Sequence, residues 1–171
     1  MANSAPAQGT GQPPTKPDLT CGECGTYSKL QEKRAREPGY ERDHIPSKAA
    51  LRDAAIERYK PNVMSTDQVK CVAGKVEARG ITVAIPKSSH RNFSPTCGSR
   101  NSEAQRAKDA ATPKSLAEAV DRDLDEMQKH LDSKESPDPA CAENYRAAAK
   151  QIKEHDNEAM IEKAIDECTG G

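Results

Sequence analysis

The chain has 171 residues, room for one domain or a small domain with a helical appendage. Leu, Ile, Val and Phe together number 20, about 12% of residues, which excludes a large β-sandwich or a doubly wound sheet. The net charge of only -1 argues against wholesale disorder, so a thinly cored, mainly helical α+β protein is expected.

Residues 1–19 form a lead rich in Pro, Gly, Ser, Thr and Ala that cannot bury a core, and they read as a disordered tail. It has no apolar h-region, so no ordinary secretory signal is expected. No apolar run anywhere approaches the roughly 20 residues of a membrane span. Residues 27–37 are helix-forming up to Pro38-Gly39, and 40–45 read as a short strand ended by Pro46. Ser47 is a fair N-cap for a helix whose Leu51, Ala54, Ala55 and Tyr59 fall at helical spacing before Pro61. A further helix fits 66–78, weakened by Gly74. After Gly80, ITVAIP is a convincing strand, β-branched, apolar and closed by Pro86.

A polar, basic, turn-rich stretch follows, and beyond Asn101 the composition turns to acidic, alanine-containing helices. Thr112-Pro113 marks an N-cap with proline at N1, and Leu116, Val120, Leu124, Met127 and Leu131 make an apolar stripe. Residues 136–139 read as a hinge. One final helix of about 28 residues is expected to run to Cys168, burying Tyr145, Ala148, Ile152, Ile161 and Ile165 and pairing with its predecessor as a hairpin. The organisation expected is a tail (1–19), a core region (20–101) and an acidic helical region (102–171).

Residues 1–101 carry a net +6 and residues 102–171 a net -7. A basic half suits a polyanion such as nucleic acid. The acidic half suits a solvated helical surface or a basic partner. Cys21-Gly-Glu-Cys24 has the spacing of half a zinc knuckle and is a candidate for structural zinc, with a disulfide and plain thiols as the alternatives for the pair.

Two histidines keep unusual company. Asp43-His44 closes the first strand, and His90 falls in the first turn of a short helix after the second. A carboxylate and an imidazole can share a divalent cation, while a second, unligated imidazole takes a proton from water. That combination suits hydrolysis of a phosphodiester. The bland reading makes Asp43-His44 a turn feature and His90 a polar loop residue.

GYERDHIPSKAAL, followed after a spacer of about 36 residues by ITVAIPKSSHRNFSPTCGSRN, resembles the HNH and endonuclease VII-like (ββα-metal) nucleases. It resembles in particular the toxin versions carried by bacterial competition and polymorphic-toxin systems. The likeness covers about residues 20–101. It implies a small ββα-metal nuclease core, beside the carboxy-terminal helical hairpin read from periodicity, and a metal-dependent endonuclease toxin that cuts DNA with little sequence specificity. His44 matches the general base, Asp43 and His90 match ligands of one divalent cation (Mg, Mn or Zn), and Asn101 matches an orienting residue or further ligand. Ser94, Thr96 and Gly98 match a polar turn without an assigned role. The implied partners are DNA, a cognate immunity protein and a secretion-system carrier, with no membrane partner. The implied route is synthesis in a bacterial cytoplasm and specialised export into the cytoplasm of a target cell.

Arg42, Lys48, Arg52, Lys87, Arg91 and Arg100 flank the proposed centre and could hold phosphates. One Phe, four Tyr and no Trp leave little surface for stacking on single-stranded bases, which favours duplex DNA over RNA. A second reading, from a different class, is a non-enzymatic helical adaptor with structural histidines. A third is a metal-stabilised nucleic-acid-binding module using Cys21 and Cys24. If the nuclease reading holds, 40–45 and 81–85 must pair as a β-ribbon, with a helix from Lys87 or Ser88 turning His90 toward Asp43.

Overall fold

The computed structural model describes residues 16–33 and 39–170. Among the described residues the architecture is α+β and mainly helical, with eight α-helices around one three-stranded antiparallel sheet. The apolar run Ile81–Pro86 forms the central strand β3, buried at every position, as a strand covered on both faces must be. Its neighbours are β1 (Cys24–Thr26) and β2 (Tyr40–His44), giving the order β1-β3-β2. In the β2–β3 ladder Asp43 lies opposite Val83 and His44 opposite Thr82. The expected ribbon therefore forms, and β1 adds a third strand that the sequence reading did not expect.

The helices begin largely where capping chemistry places them. They are α1 (Tyr27–Gln31), α2 (Lys48–Tyr59), α3 (Thr66–Arg79), α4 (Lys87–Phe93), α5 (Glu103–Ala110), α6 (Pro113–Leu131), α7 (Cys141–Lys153) and α8 (Asn157–Thr169). Ser47 Oγ accepts from Ala50 N at 3.1 Å, and Ser65 with Gln68 forms a capping box on α3. Thr112 caps α6 with Pro113 at its first position. The helix expected over 27–37 ends at Gln31, and residues 34–38 lie outside the described residues. Of the expected tail, residues 1–15 also lie outside them, whereas Leu19 is buried against Leu30 and Ala84.

The single long final helix is corrected to two, α7 and α8. Asp156 caps α8 by accepting from Ala159 N at 2.9 Å. The break has a packing cause. Tyr145, Ala148 and Ile152 join a core with Val83, Ile85, Leu124 and Met127, on the sheet. Ile161 and Ile165 join a different one with Leu51, Val72, Val76 and Leu116, between α2, α3 and α6. On one straight helix, at about 100° per residue, Ile152 and Ile161 would face opposite sides; the turn between α7 and α8 lets each set join its own core. The expected pairing of α6 with its successor holds for α7, while α8 packs on α3 and α2. Both cores draw on each half of the chain.

Two disulfides join the same halves, Cys21–Cys141 and Cys71–Cys168. The Cys21/Cys24 zinc reading is thereby corrected. Cys21 meets the first residue of α7, whereas Cys24 Sγ donates to Gln151 Oε1 at 3.1 Å. Cys141 and Gln151 stand ten residues apart on α7, about 15 Å along the axis, so the two thiols diverge. Among the described residues no helix is long and apolar enough to cross a membrane.

Candidate active site

Successive strand side chains point to opposite faces, so Glu41 and Asp43 share one face of β2 while Arg42 and His44 share the other. Helix α4 follows β3 without a loop and brings His90 over the Glu41/Asp43 face. His90 Nδ1 bonds the Glu41 carboxylate at 2.7 Å, and its Nε2 lies 3.4 Å from Asp43 Oδ1. Asp43 is almost completely buried. Ser94 Oγ donates to its Oδ2 at 2.7 Å, and the Thr96 hydroxyl donates to Oδ1. The polar turn whose role the sequence left unassigned thus grips this carboxylate.

His44 packs on the Tyr27 ring, with centroids 4.7 Å apart, and its Nε2 lies 3.0 Å from the Glu77 carbonyl oxygen of α3. A carbonyl can only accept, so Nε2 carries the proton and the neutral ring keeps its lone pair on Nδ1. Among the described residues no protein group bonds Nδ1. Burial pushes the His44 pKa down, outweighing the Glu77 carbonyl and the nearby carboxylates that favour the cation, so the ring is neutral near pH 7. His90 goes the other way. Burial opposes its charge, but the hydrogen bonds and charges of Asp43 and then Glu41 outweigh burial and raise its pKa. Burial likewise opposes charge on Glu41, yet the bonds from Arg91 and His90 hold its pKa down.

Asp43, His44, His90 and Asn101 all line one cleft of about 310 Å³, together with Arg42 and Lys48. The other basic candidates lie elsewhere. Lys87 and Arg91 line a larger cleft of about 740 Å³ beside Tyr40 and Asp138. Arg52 faces a groove with Arg106 and bonds Asp53 at 2.6 Å. Several cations are tied to the fold: Arg42 donates to the carbonyls of Leu30 and Lys33, Arg100 to those of Ser94 and Arg91, and Arg91 to Glu41. Lys48 pairs with Glu77 at 2.7 Å.

The spacing of the Asp43–His90 pair is compatible with a shared divalent cation. Two ligands each about 2.1 Å from a metal, at a tetrahedral angle, lie about 3.4 Å apart, and His90 Nε2 and Asp43 Oδ1 are separated by 3.4 Å. Each carboxylate oxygen has a second lone pair beyond its hydroxyl donor. The Glu41 carboxylate on the far ring nitrogen makes the carboxylate–histidine arrangement common behind metal ligands. Glu41 was missed in sequence, although its place two residues before Asp43 in a strand puts it on the same face. A separate group, Cys21, Cys141 and Asp138, has ligand atoms all within 4.8 Å of one another and could also hold a metal ion.

Over 107 residues, 63% of its length, the chain is 34% identical to a protein named deoxyribonuclease CdiA from Dickeya dadantii (strain 3937). The match spans 3% of that much longer protein. No family model matches the chain, and no solved structure matches it.

Proposed function

We propose that this chain is a DNase toxin, a metal-dependent endonuclease of ββα-metal type that hydrolyses DNA phosphodiester bonds with little sequence specificity. One observation carries the reading: a neutral, tautomer-fixed His44 shares a cleft with the Asp43–His90 pair. The likeness to a protein named as a deoxyribonuclease supports it independently.

In this reading His44 Nδ1 takes the proton of the attacking water, and its Nε2–H stays on the Glu77 carbonyl throughout. Asp43 and His90 hold the cation, with Glu41 orienting the His90 ring. When bound, the cation supplies charge stabilisation to the phosphate and leaving oxygen. Lys48 and Arg42 line the cleft where the phosphate backbone would enter, and Asn101 stands at its edge as an orienting group. Lys87, Arg91 and Arg100 would meet flanking phosphates, and Arg52 more distant ones. A toxin of this kind requires an immunity protein in the producing cell. Delivery from that cell's cytoplasm into a target cell would use a specialised secretion carrier.

The test is supercoiled plasmid incubated with the purified chain and Mg²⁺, Mn²⁺ or Zn²⁺, with and without EDTA. Nicking that EDTA stops and that Asp43→Asn and His90→Ala each remove supports the reading. No cutting under any metal favours the non-enzymatic adaptor, in which the same histidines are structural.

A further inference from the structure

Cys21, Asp138 and Cys141 are not among the residues lining the Asp43–His90 cleft; they sit where the segment before β1 meets the start of α7. We propose that the reduced chain binds a zinc ion through Cys21, Cys141 and Asp138, so that one pair of sulfurs serves as a disulfide when oxidised and as a metal site when reduced. The proposal does not depend on the nuclease reading.

Four observations support it. The three ligand atoms already lie within 4.8 Å of one another, with both cysteines buried and Asp138 half-buried. Cys141 is the first residue of the 13-residue α7, where the helix N-terminus favours a thiolate. Tyr40 Oη donates to Asp138 Oδ2 at 3.0 Å, which leaves Oδ1 for a metal and supplies the outer hydrogen bond common behind carboxylate ligands. Asp138 also lines the cleft of about 740 Å³, so its carboxylate is the ligand that faces solvent, while both sulfurs are buried behind it. Two thiolates and one carboxylate select a borderline cation such as zinc over magnesium or calcium. Cys24, whose thiol is turned to Gln151, takes no part.

The chemistry balances. A dithiol reductant gives two electrons and two protons to the Cys21–Cys141 bond and becomes a disulfide itself. Zinc then displaces the two thiol protons and is held by two thiolates. Either state keeps the residues before β1 joined to α7, and the metal state adds Asp138, which already accepts from Tyr40 of β2.

The experiment titrates the full chain with Co²⁺ and then Zn²⁺, without oxygen, after reduction by a phosphine that does not chelate metal. A thiolate-to-cobalt charge-transfer band that saturates at one bound Co²⁺ and is lost on adding Zn²⁺ is expected from the reduced chain and not from the oxidised one; Co²⁺ held by Asp43 and His90 would give no such band. Cys141→Ser should remove the band. Asp138→Asn, at a half-buried position that leaves the sulfurs in place, should weaken binding about tenfold or more with unchanged circular dichroism. A Cys71→Ser/Cys168→Ser double variant, which deletes the other reducible pair, should bind as before. The proposal is overturned by no charge-transfer band in the reduced chain, by a band that follows Cys71 and Cys168, or by a band of wild-type affinity in Asp138→Asn.

Discussion

His44 Nε2 and the backbone carbonyl oxygen of Glu77 lie 3.0 Å apart, joining the end of β2 to the last turns of α3. The helix-containing segment between the two motif strands is therefore more than a spacer, because it supplies the acceptor that decides which ring nitrogen of His44 is basic. Any change that moves α3 relative to β2 acts on that nitrogen.

Replacing His44 by Gln preserves much of the volume and a donor toward Glu77 but removes the proposed base. Plasmid nicking is predicted to fall by roughly 10²–10⁴-fold, while the melting temperature changes little. Near wild-type cutting would remove His44 from the base role.

The buried carboxylate of Asp43 depends on the hydroxyls of Ser94 and Thr96. Ser94→Ala should leave a buried acceptor without its donor and cost about 1–3 kcal/mol of stability. Chemical denaturation checks this, and an unchanged midpoint would show that the turn is not what holds Asp43.

Gly80 is a steric requirement. A Cβ there would stand 2.7 Å from the Val76 carbonyl oxygen, 3.1 Å from Leu51 Cδ1 and 3.2 Å from His44 Cδ2. Gly80→Ala is predicted to lower the melting temperature and shift the His44 ring resonances in an NMR spectrum. A spectrum superimposable on wild type would refute the close packing.

Asp123 tests the pH dependence of folding. Burial, reinforced by the charges of Asp109 and Asp43 and opposed by Arg122, pushes its pKa up to about 7. The folded chain therefore holds this proton more tightly than the unfolded chain, and ionising the group costs stability as pH rises from about 4 through 7. Asp123→Asn should stabilise the protein at pH 8 relative to wild type and at pH 4 have little such effect. Thermal melts at the two pH values would contradict this if the difference went the other way.

The Cys71–Cys168 bridge spans a sequence separation of 97 residues and ties α3 to α8. Its loss through Cys71→Ala/Cys168→Ala should cost about 2–5 kcal/mol. Urea denaturation of the double variant against the oxidised parent measures it, and equal midpoints would mean that the bridge adds nothing.

Much of the site was legible because its signals are local. The run ITVAIP, the residues DH before Pro46 and the placement of His90 a few residues past a strand end depend on near neighbours, and Ser47 and Thr112 announce their helices by capping. His130 shows where such reading stops. Its sequence neighbours include the charged Lys129 and Asp132, yet it is buried, stacked on Phe93 with centroids 3.8 Å apart and bonded to Ser89 at 2.9 Å. Those contacts join α6 to α4, the helix that carries His90, across about 40 residues of sequence.

By itself the sequence determined the α+β character, the two motif strands, the helix starts and the candidate trio Asp43, His44 and His90. Period-two and period-3.6 patterning, capping and turn chemistry all act within a few residues. Only the tertiary structure decided that Cys21 pairs with Cys141, that the last helix breaks at Asp156, and that Glu41, Ser94, Thr96 and the Glu77 carbonyl hold the trio in place. Each of those outcomes depends on which elements pack together, and two thinly supplied apolar cores shared by both halves of the chain settle that packing.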